Sequence, residues 1–299
     1  MNSHGDAETR RIAFLCVSVS LWLILFVSSA ISVASSHQTA TFTSKVEAVR
    51  VDVLVTDRGQ PVLGLKPADF EILDNGVAQQ VDLVSYEQIP LNVILALDMS
   101  DSVAGARLDH LRGAGTALLS GLQKADQAAL VTFSHLVVLG SGLTTDLSPV
   151  RQALDDAGGT GNTALVDGTY AGIMIGESDV GRALLIVFSD GLDTASWLTA
   201  DAVLDAAKRS DVVVYAVSAG RSKSEFLSDL TSFTGGRLYE VEKSANLSAI
   251  FLGVLDEFRH RYLVSYTPRG VTKDGWHRLD VRVRRKGAVK ARPGYLAGS

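Results

Sequence analysis

Side chains with oxygen donors follow three separate apolar segments of the sequence. Asp98, Ser100 and Ser102 alternate directly after the apolar run that ends at position 97. Thr163 follows a glycine-rich stretch, and Asp190 follows another apolar run. In a parallel sheet the ligand site forms beyond the carboxyl ends of the strands, so these side chains are expected to converge. Two carboxylates and three hydroxyls without histidine or cysteine fit a hard divalent cation such as Mg²⁺.

The charge of this donor set matters for what the cation could bind. Mg²⁺ takes about six oxygen ligands at about 2.1 Å, so water would complete the set. With only two carboxylates the site stays electrophilic and can accept a carboxylate from another molecule. The alternative for the Asp98 segment alone is a turn with a helix N-cap, since Asp and Ser favour both positions. Asp167 and Asp193 are expected to be caps or loop carboxylates rather than ligands.

Composition and residue counts exclude several other classes of site. Of 299 residues, 46% are hydrophobic and 20% charged, which is typical of a globular chain. The net charge of -5 argues against a nucleic-acid partner. Cys16 is the only cysteine and lies in an apolar leader, which excludes a thiolate zinc site or a cysteine nucleophile in the rest of the chain. The six histidines show no HExxH or similar close ligand pair.

A second chemistry is available at Ser218. The segment Ala-Val-Ser-Ala-Gly around Ser218 follows an apolar run and resembles a nucleophile elbow in which alanine replaces the first glycine. A serine hydrolase would also need an acid, Asp229 or Asp256, and a base, His260 or His277. The alternative is an ordinary turn between a strand and a loop, which the absence of a separate oxyanion loop favours.

The elements that must hold these loops alternate between apolar strands and amphipathic helices. Strands are predicted at 92–97, 128–133, 184–188 and 212–217, as apolar runs typical of strands that are covered on both faces. Helices are predicted at 108–123, 148–157, 164–175, 200–208, 224–233 and 247–259. This alternation predicts an α/β fold with a doubly wound, mostly parallel sheet.

Antiparallel β structure is predicted on both sides of the α/β region. Turns separate strands at 46–56, 70–73 and 80–86, and period-two alternation returns at 262–266 and 278–284. We expect the two ends to pair into one discontinuous β-sandwich from which the α/β domain is inserted. The predicted limits are 39–89 for the N-terminal β module, 90–261 for the α/β domain and 262–299 for the C-terminal strands.

The first 38 residues are predicted to be a signal peptide or a membrane anchor. Arg10 and Arg11 precede an uncharged run over 12–33, which is long enough to cross a hydrocarbon core of about 30 Å. A small-residue cleavage site at Ser32-Val33-Ala34 favours a signal peptide, whereas the length of the run favours an anchor. Both alternatives export the rest of the chain, which would be periplasmic, secreted or held at the cytoplasmic membrane by this segment alone.

The three loops together resemble the metal-ion-dependent adhesion site of von Willebrand factor type A (VWFA) domains. The matching motifs are Asp98-x-Ser100-x-Ser102, Thr163 within Gly-Asn-Thr-Ala-Leu, and Asp190 within Phe-Ser-Asp-Gly. Further segments look like those of the exported bacterial VWFA-related family over nearly all of the chain after the leader. These are 51–56 with Gly64-Leu65, Asp69-Phe70-Glu71, the run from Tyr262 to Pro268, and Arg292-Pro293-Gly294-Tyr295.

The resemblance implies a Rossmann-like domain that acts as a non-catalytic, metal-dependent protein-binding or adhesion module. An acidic residue of a protein partner would complete the coordination of the cation. The residues implied as direct or water-mediated ligands of Mg²⁺ or Mn²⁺ are Asp98, Ser100, Ser102, Thr163 and Asp190. The chain departs from the family pattern at Asp101, where glycine is common, and at Val103, where methionine is common, so the departures bear on ligand preference.

Overall fold

Antiparallel strands precede and follow a region in which strands and helices alternate. The computed structural model describes residues 48–85, 89–190, 192–220 and 224–298. The first strands are β1 (Val49–Asp57), β2 (Gln60–Pro61), β3 (Phe70–Asp74), β4 (Val77–Gln79) and β5 (Val81–Ser85). The alternating region contains β6 (Leu91–Asp98), α1 (Ala106–Ser120), β7 (Gln127–Phe133), β8 (Val137–Thr144), α2 (Leu147–Asp156), α3 (Leu165–Gly176), β9 (Arg182–Ser189), α4 (Ala200–Arg209), β10 (Val213–Ser218), α5 (Glu225–Thr234), β11 (Leu238–Glu240) and α6 (Leu247–Arg259). The last strands are β12 (Tyr262–Tyr266), β13 (Gly275–Val283), β14 (Ala288–Lys290) and β15 (Gly294–Ala297).

The central sheet has the strand order β11-β10-β9-β6-β7-β8. All neighbours pair in parallel except β7 and the edge strand β8, which are antiparallel. Every residue of β6 is buried, and because successive side chains point to opposite faces, the strand contributes to two cores. Val93, Leu95 and Leu97 belong to one hydrophobic cluster, whereas Ile94 and Ala96 belong to the other.

Helices cover both faces of this sheet. The apolar sides of α1, α2 and α6 pack on one face, and those of α3, α4 and α5 pack on the other. Two covered faces explain why the strands are continuously apolar. The predicted α/β fold class, with its doubly wound and mostly parallel sheet, is confirmed.

The terminal strands form two antiparallel sheets, which we call the β module. One sheet has the order β14-β1-β12-β5, with β2 beside β1, and the other has the order β15-β13-β3-β4. Both sheets therefore combine strands from before and after the α/β region. Val53 and Val264 of the first sheet share a hydrophobic core with Ile72 and Leu279 of the second. The predicted antiparallel module of N- and C-terminal segments is confirmed, while the predicted domain limits stay predictions.

Charged side chains connect the β module to the α/β region. Arg182 at the start of β9 pairs with Asp52 of β1, and both are buried. Lys290 of β14 lies 3.6 Å from a carboxylate oxygen of Glu257 on α6. Burial lowers the pKa of Lys290 to about 8, although the negative charge of Glu257 acts in the opposite direction.

Several strands of the structure were not predicted from the sequence. The edge strand β8 is largely exposed and contains Gly140 and Gly142, so it has neither the apolar run nor the clean alternation of the other strands. Strand β11 has only three residues, which is too short for a period to be recognised. The strand predicted at 80–86 corresponds to β5, and β4 pairs separately with β3.

The predicted leader, residues 1–38 with the uncharged run 12–33, lies outside the described residues. The described strands and helices belong to one unit, residues 46–299. In the part of the chain that the structure describes, no helix has both the length and the apolar character needed to cross a membrane.

Candidate metal centre

Asp98 is the last residue of β6, and its side chain is fully buried. Its carboxylate accepts two hydrogen bonds, one from the backbone N–H of Ser100 to Oδ1 (2.9 Å) and one from Ser189 Oγ to Oδ2 (2.8 Å). Ser189 ends the neighbouring strand β9. The carboxylate thus joins the loop after β6 to the end of β9.

The electrostatic environment of Asp98 favours an added positive charge. Burial raises the pKa of Asp98, the hydrogen bonds from Ser100 and Ser189 partly offset this, and the negative charge of Asp190 raises it further. Among the described residues, no lysine, arginine or histidine forms an ion pair with either carboxylate. Two neighbouring acids without a cationic partner are the arrangement that a bound divalent cation would stabilise.

Ser100 and Ser102 place their hydroxyls side by side. Ser100 precedes a short 3₁₀ turn, Asp101–Val103, and its Oγ lies 2.9 Å from Ser102 Oγ. Neighbouring oxygens around an octahedral ion at about 2.1 Å are separated by about 3 Å. The spacing of the two hydroxyls therefore fits adjacent ligands of Mg²⁺.

The loop that carries Thr163 lies against the Asp98 loop through its glycines. The backbone N–H of Asp101 donates to the carbonyl oxygen of Gly161 (3.3 Å). A Cβ atom on Gly159 would overlap the carbonyl oxygen of Met99. Only glycine allows this close approach, and it brings the Thr163 loop to the same edge of the sheet as Asp98.

Thr163 is buried and is held by the loop that follows Asp190. Its backbone N–H donates to Thr194 Oγ1 (3.0 Å), and its carbonyl oxygen accepts from the backbone N–H of Thr194 (2.8 Å) and of Ala195 (3.1 Å). Asp190 itself follows β9 and is half-buried. The structure therefore joins all three loops, the Asp98 and Asp190 loops by side-chain contacts and the Thr163 loop by its backbone.

Some residues that shape the centre were not predicted. Ser189 holds Asp98, Thr194 holds Thr163, and Arg107 donates from Nη1 to the carbonyl oxygen of Ser102 (2.8 Å). The signal for Ser189 was a polar residue at the end of an apolar strand, next to Asp190. Thr194 and Arg107 have no such signal, because their roles depend on how the loops fold back.

Asp167 and Asp193 organise loops, as expected from their sequence context. The carboxylate of Asp167 accepts from the backbone N–H of Trp197 (2.9 Å) and of Leu198 (2.9 Å). Asp193 Oδ1 accepts from the backbone N–H of Val166 (3.3 Å). Asp167, at the beginning of α3, thus holds the loop between β9 and α4, and Asp193 of that loop holds the backbone at the beginning of α3.

The donor chemistry fits a hard cation. In the described ranges, no three His, Cys, Asp or Glu side chains come together as a metal-binding group. Binding at this edge would therefore depend on two carboxylates together with hydroxyl oxygens and water. Such a set suits Mg²⁺ and Mn²⁺ better than ions that prefer nitrogen or sulfur.

Ser218 is not assembled with a base in the described contacts. It is buried at the end of β10. His277 lies in the β module, where its Nδ1 is 2.8 Å from Asp74 Oδ1. His260 follows α6, and its Nδ1 is 2.7 Å from the carbonyl oxygen of Asp256. Helix α6 begins after β11, which is parallel to β10, and spans about 20 Å. His260 at its end therefore lies toward the amino ends of these strands, whereas Ser218 lies at the carboxyl end of β10.

Comparison with known proteins identifies one family. The family model of the von Willebrand factor type A domain matches residues 92–252, which is slightly more than half of the chain. Comparison with the curated proteins gives no match.

Solved structures with a similar fold come from several organisms. Proximal thread matrix protein 1 of the mussel byssus, described with a zinc-occupied MIDAS motif, has a TM-score of 0.51 and 16% identity, covering 62% of this chain and 49% of its own. The present chain thus spans about half of the mussel protein. An aerotolerance-related membrane protein from Bacteroides fragilis has a TM-score of 0.47 and 15% identity, and the match covers 56% of this chain and 98% of that protein. The vWF domain of a type V pili tip protein from Porphyromonas gingivalis has a TM-score of 0.48 and 14% identity, and the match covers 57% of this chain and 95% of that domain.

Proposed function

The chain belongs to the von Willebrand factor type A domain family, and from this premise we propose that it is a non-catalytic, metal-dependent protein-binding module. The observation that carries the proposal is the buried carboxylate of Asp98, which lies beside Asp190 without a cationic partner in the described part of the chain. A divalent cation would neutralise both acids. It would also present positive charge beyond the carboxyl ends of the strands.

The candidate ligands would contribute different groups to metal binding. Asp98 and Asp190 supply negative charge, and the paired hydroxyls of Ser100 and Ser102 supply neutral oxygens. Thr163 would add a hydroxyl from the third loop. When bound, Mg²⁺ or Mn²⁺ supplies an electrophilic centre for an acidic side chain of the partner protein.

We also propose that the module acts outside the cytoplasm. The support is the basic and then uncharged leader of residues 10–33, which is typical of an export signal or an anchor. The module would then be periplasmic, secreted or held at the membrane by this segment. Cell fractionation of a tagged full-length chain tests the proposal, and recovery in the cytoplasm would contradict it.

Thermal unfolding with and without Mg²⁺ tests the metal site. Mg²⁺ at about 100 times its Kd adds about 2.7 kcal/mol to the free energy of unfolding. This should raise Tm by about 5–10 °C for a domain of this size. Asp98→Ala should abolish the increase. The exposed Asp201→Ala at the start of α4 serves as a matched control and should keep it. An equal Tm for the unmodified protein in Mg²⁺ and in chelator would contradict the proposal.

A further inference from the structure

An apolar groove lies beside the candidate metal centre. It has a volume of about 350 Å³ and is formed by the start of β8, the first turns of α3 and the loop between β9 and α4. The apolar side chains that line it are Leu136, Val137, Ala164, Tyr170, Ala171, Trp197 and Leu198. Two polar residues also line it: His135, and Asp167, whose carboxylate accepts two backbone N–H groups.

The rim of this groove exposes large apolar side chains to an unusual degree. Trp197 is 94% exposed and Leu136 is 61% exposed. Exposed apolar surface on a soluble protein marks interaction sites when the residues are contiguous. Tryptophan is also the residue type most enriched among the side chains that dominate binding energy at protein interfaces.

The loop that presents Trp197 is held in place by several hydrogen bonds. The backbone N–H groups of Trp197 and Leu198 both donate to Asp167, and the backbone N–H of Asp167 donates to Ser196 Oγ (3.1 Å). Ser196 Oγ also donates to Asp193 (2.5 Å). Because the backbone of this loop is already held, less backbone entropy is lost when a partner binds Trp197.

The groove is continuous with the metal centre. Ala164 lines the groove and directly follows Thr163, and consecutive Cα atoms are about 3.8 Å apart. His135 lines the groove as well, and its Nδ1 lies 3.2 Å from the carbonyl oxygen of Thr160 in the same loop as Thr163. An extended peptide advances about 3.3 Å per residue, so a single short segment could contact both sites.

We propose that the groove receives a large apolar side chain, leucine or an aromatic residue, from the same partner segment whose acidic residue binds at the metal centre. This inference rests on the proposed function. The occupant is an extended segment of a partner protein with an acidic residue and an apolar residue two to four positions apart. Its acid complements the cation, and its apolar side chain complements the apolar side chains of Leu136, Trp197 and Leu198.

Synthetic peptides test this inference with the full chain in Mg²⁺. Twelve-residue peptides carry one aspartate in a Gly-Ser background, with leucine or tryptophan two, three or four positions away. Matched peptides replace the apolar residue by serine or the aspartate by asparagine. Fluorescence anisotropy gives Kd for the unmodified protein, Trp197→Ala, Leu136→Ala and Asp98→Ala. Leu83→Ala, in the β module and 54% exposed, is the matched control for Leu136→Ala.

The expected result is that a peptide with both residues binds the unmodified protein at least about tenfold more tightly than its serine counterpart. Trp197→Ala should remove this advantage, while Leu83→Ala should keep it. Equal binding of both peptides, or of Trp197→Ala and the unmodified protein, would overturn the groove proposal while leaving the metal site intact. If the peptide with both residues binds equally well in chelator and to Asp98→Ala, this would instead contradict the proposed function. A dimer of the chain in analytical ultracentrifugation that Trp197→Ala dissociates would overturn the assignment to a partner segment.

Discussion

Asp98→Asn isolates the charge at the centre of the candidate metal site. Asparagine has nearly the same shape, and its amide keeps both contacts: the oxygen accepts from the Ser100 N–H and the NH₂ donates to Ser189 Oγ. The substitution therefore removes a buried negative charge and keeps a hydrogen-bonding group at both contacts. Its effect on stability should have opposite signs in chelator and in Mg²⁺.

The magnitudes follow from burial and mass action. In chelator, loss of an uncompensated charge in a fully buried position beside Asp190 should raise the free energy of unfolding by about 1–2 kcal/mol. In Mg²⁺ at about 100 times its Kd, the unmodified protein gains about 2.7 kcal/mol that the variant cannot gain. The variant should thus be the more stable protein in chelator and the less stable one in Mg²⁺.

Urea denaturation in chelator and in Mg²⁺ measures both changes in the free energy of unfolding. A pH series in chelator adds a third test. The pKa of Asp98 is raised in the folded state above the ordinary value of 3.8. The unmodified protein should therefore lose stability in chelator as the pH rises through this raised pKa, and Asp98→Asn should not. An asparagine variant that is less stable in chelator, or one that gains stability in Mg²⁺ as the unmodified protein does, would refute the reasoning.

Three further substitutions test separate parts of the structure. Gly220→Ala places a Cβ against the carbonyl oxygen of Asp190, so Mg²⁺ affinity in a calorimetric titration should fall by about tenfold or more; unchanged affinity would contradict this. Lys290→Met should be more stable than the unmodified protein at pH 7. Because the pKa of Lys290 is lowered to about 8, urea denaturation should show this gap closing as the pH rises above 8, and a constant gap would argue against it. Asp52→Ala leaves Arg182 buried without its carboxylate, so urea denaturation should show a loss of about 3–5 kcal/mol, and a loss below about 1 kcal/mol would show that the pair matters little.

The sequence predicts the covered elements of the fold well and the exposed ones poorly. Strands β6, β7, β9 and β10 were placed to within two residues, because burial on both faces leaves an uninterrupted apolar run. The association of the two terminal β segments was expected because antiparallel pieces lie on both sides of the α/β region, and β1 does pair with β12. Strand β8 was missed because an exposed edge strand is under little compositional constraint, and its two glycines read as loop.

The candidate site shows the same division. Asp98 and Asp190 were singled out as candidates because carboxylates directly after apolar strands stand out against their surroundings. The hydrogen bond between Ser189 and Asp98 depends on the register of β6 against β9, which the sequence does not contain. The exposed position of Trp197 likewise depends on the hydrogen bond from its backbone N–H to Asp167, which lies 30 residues earlier in the chain.

Anomalous scattering from crystals grown with Mn²⁺ tests the central claim most directly. The account predicts one strong peak beyond the carboxyl ends of β6 and β9, bounded by Asp98, Ser100, Ser102, Thr163 and Asp190, with oxygen ligands at about 2.2 Å or one water further away. Crystals that bind Mn²⁺ at other positions and show no peak between these five side chains would contradict it.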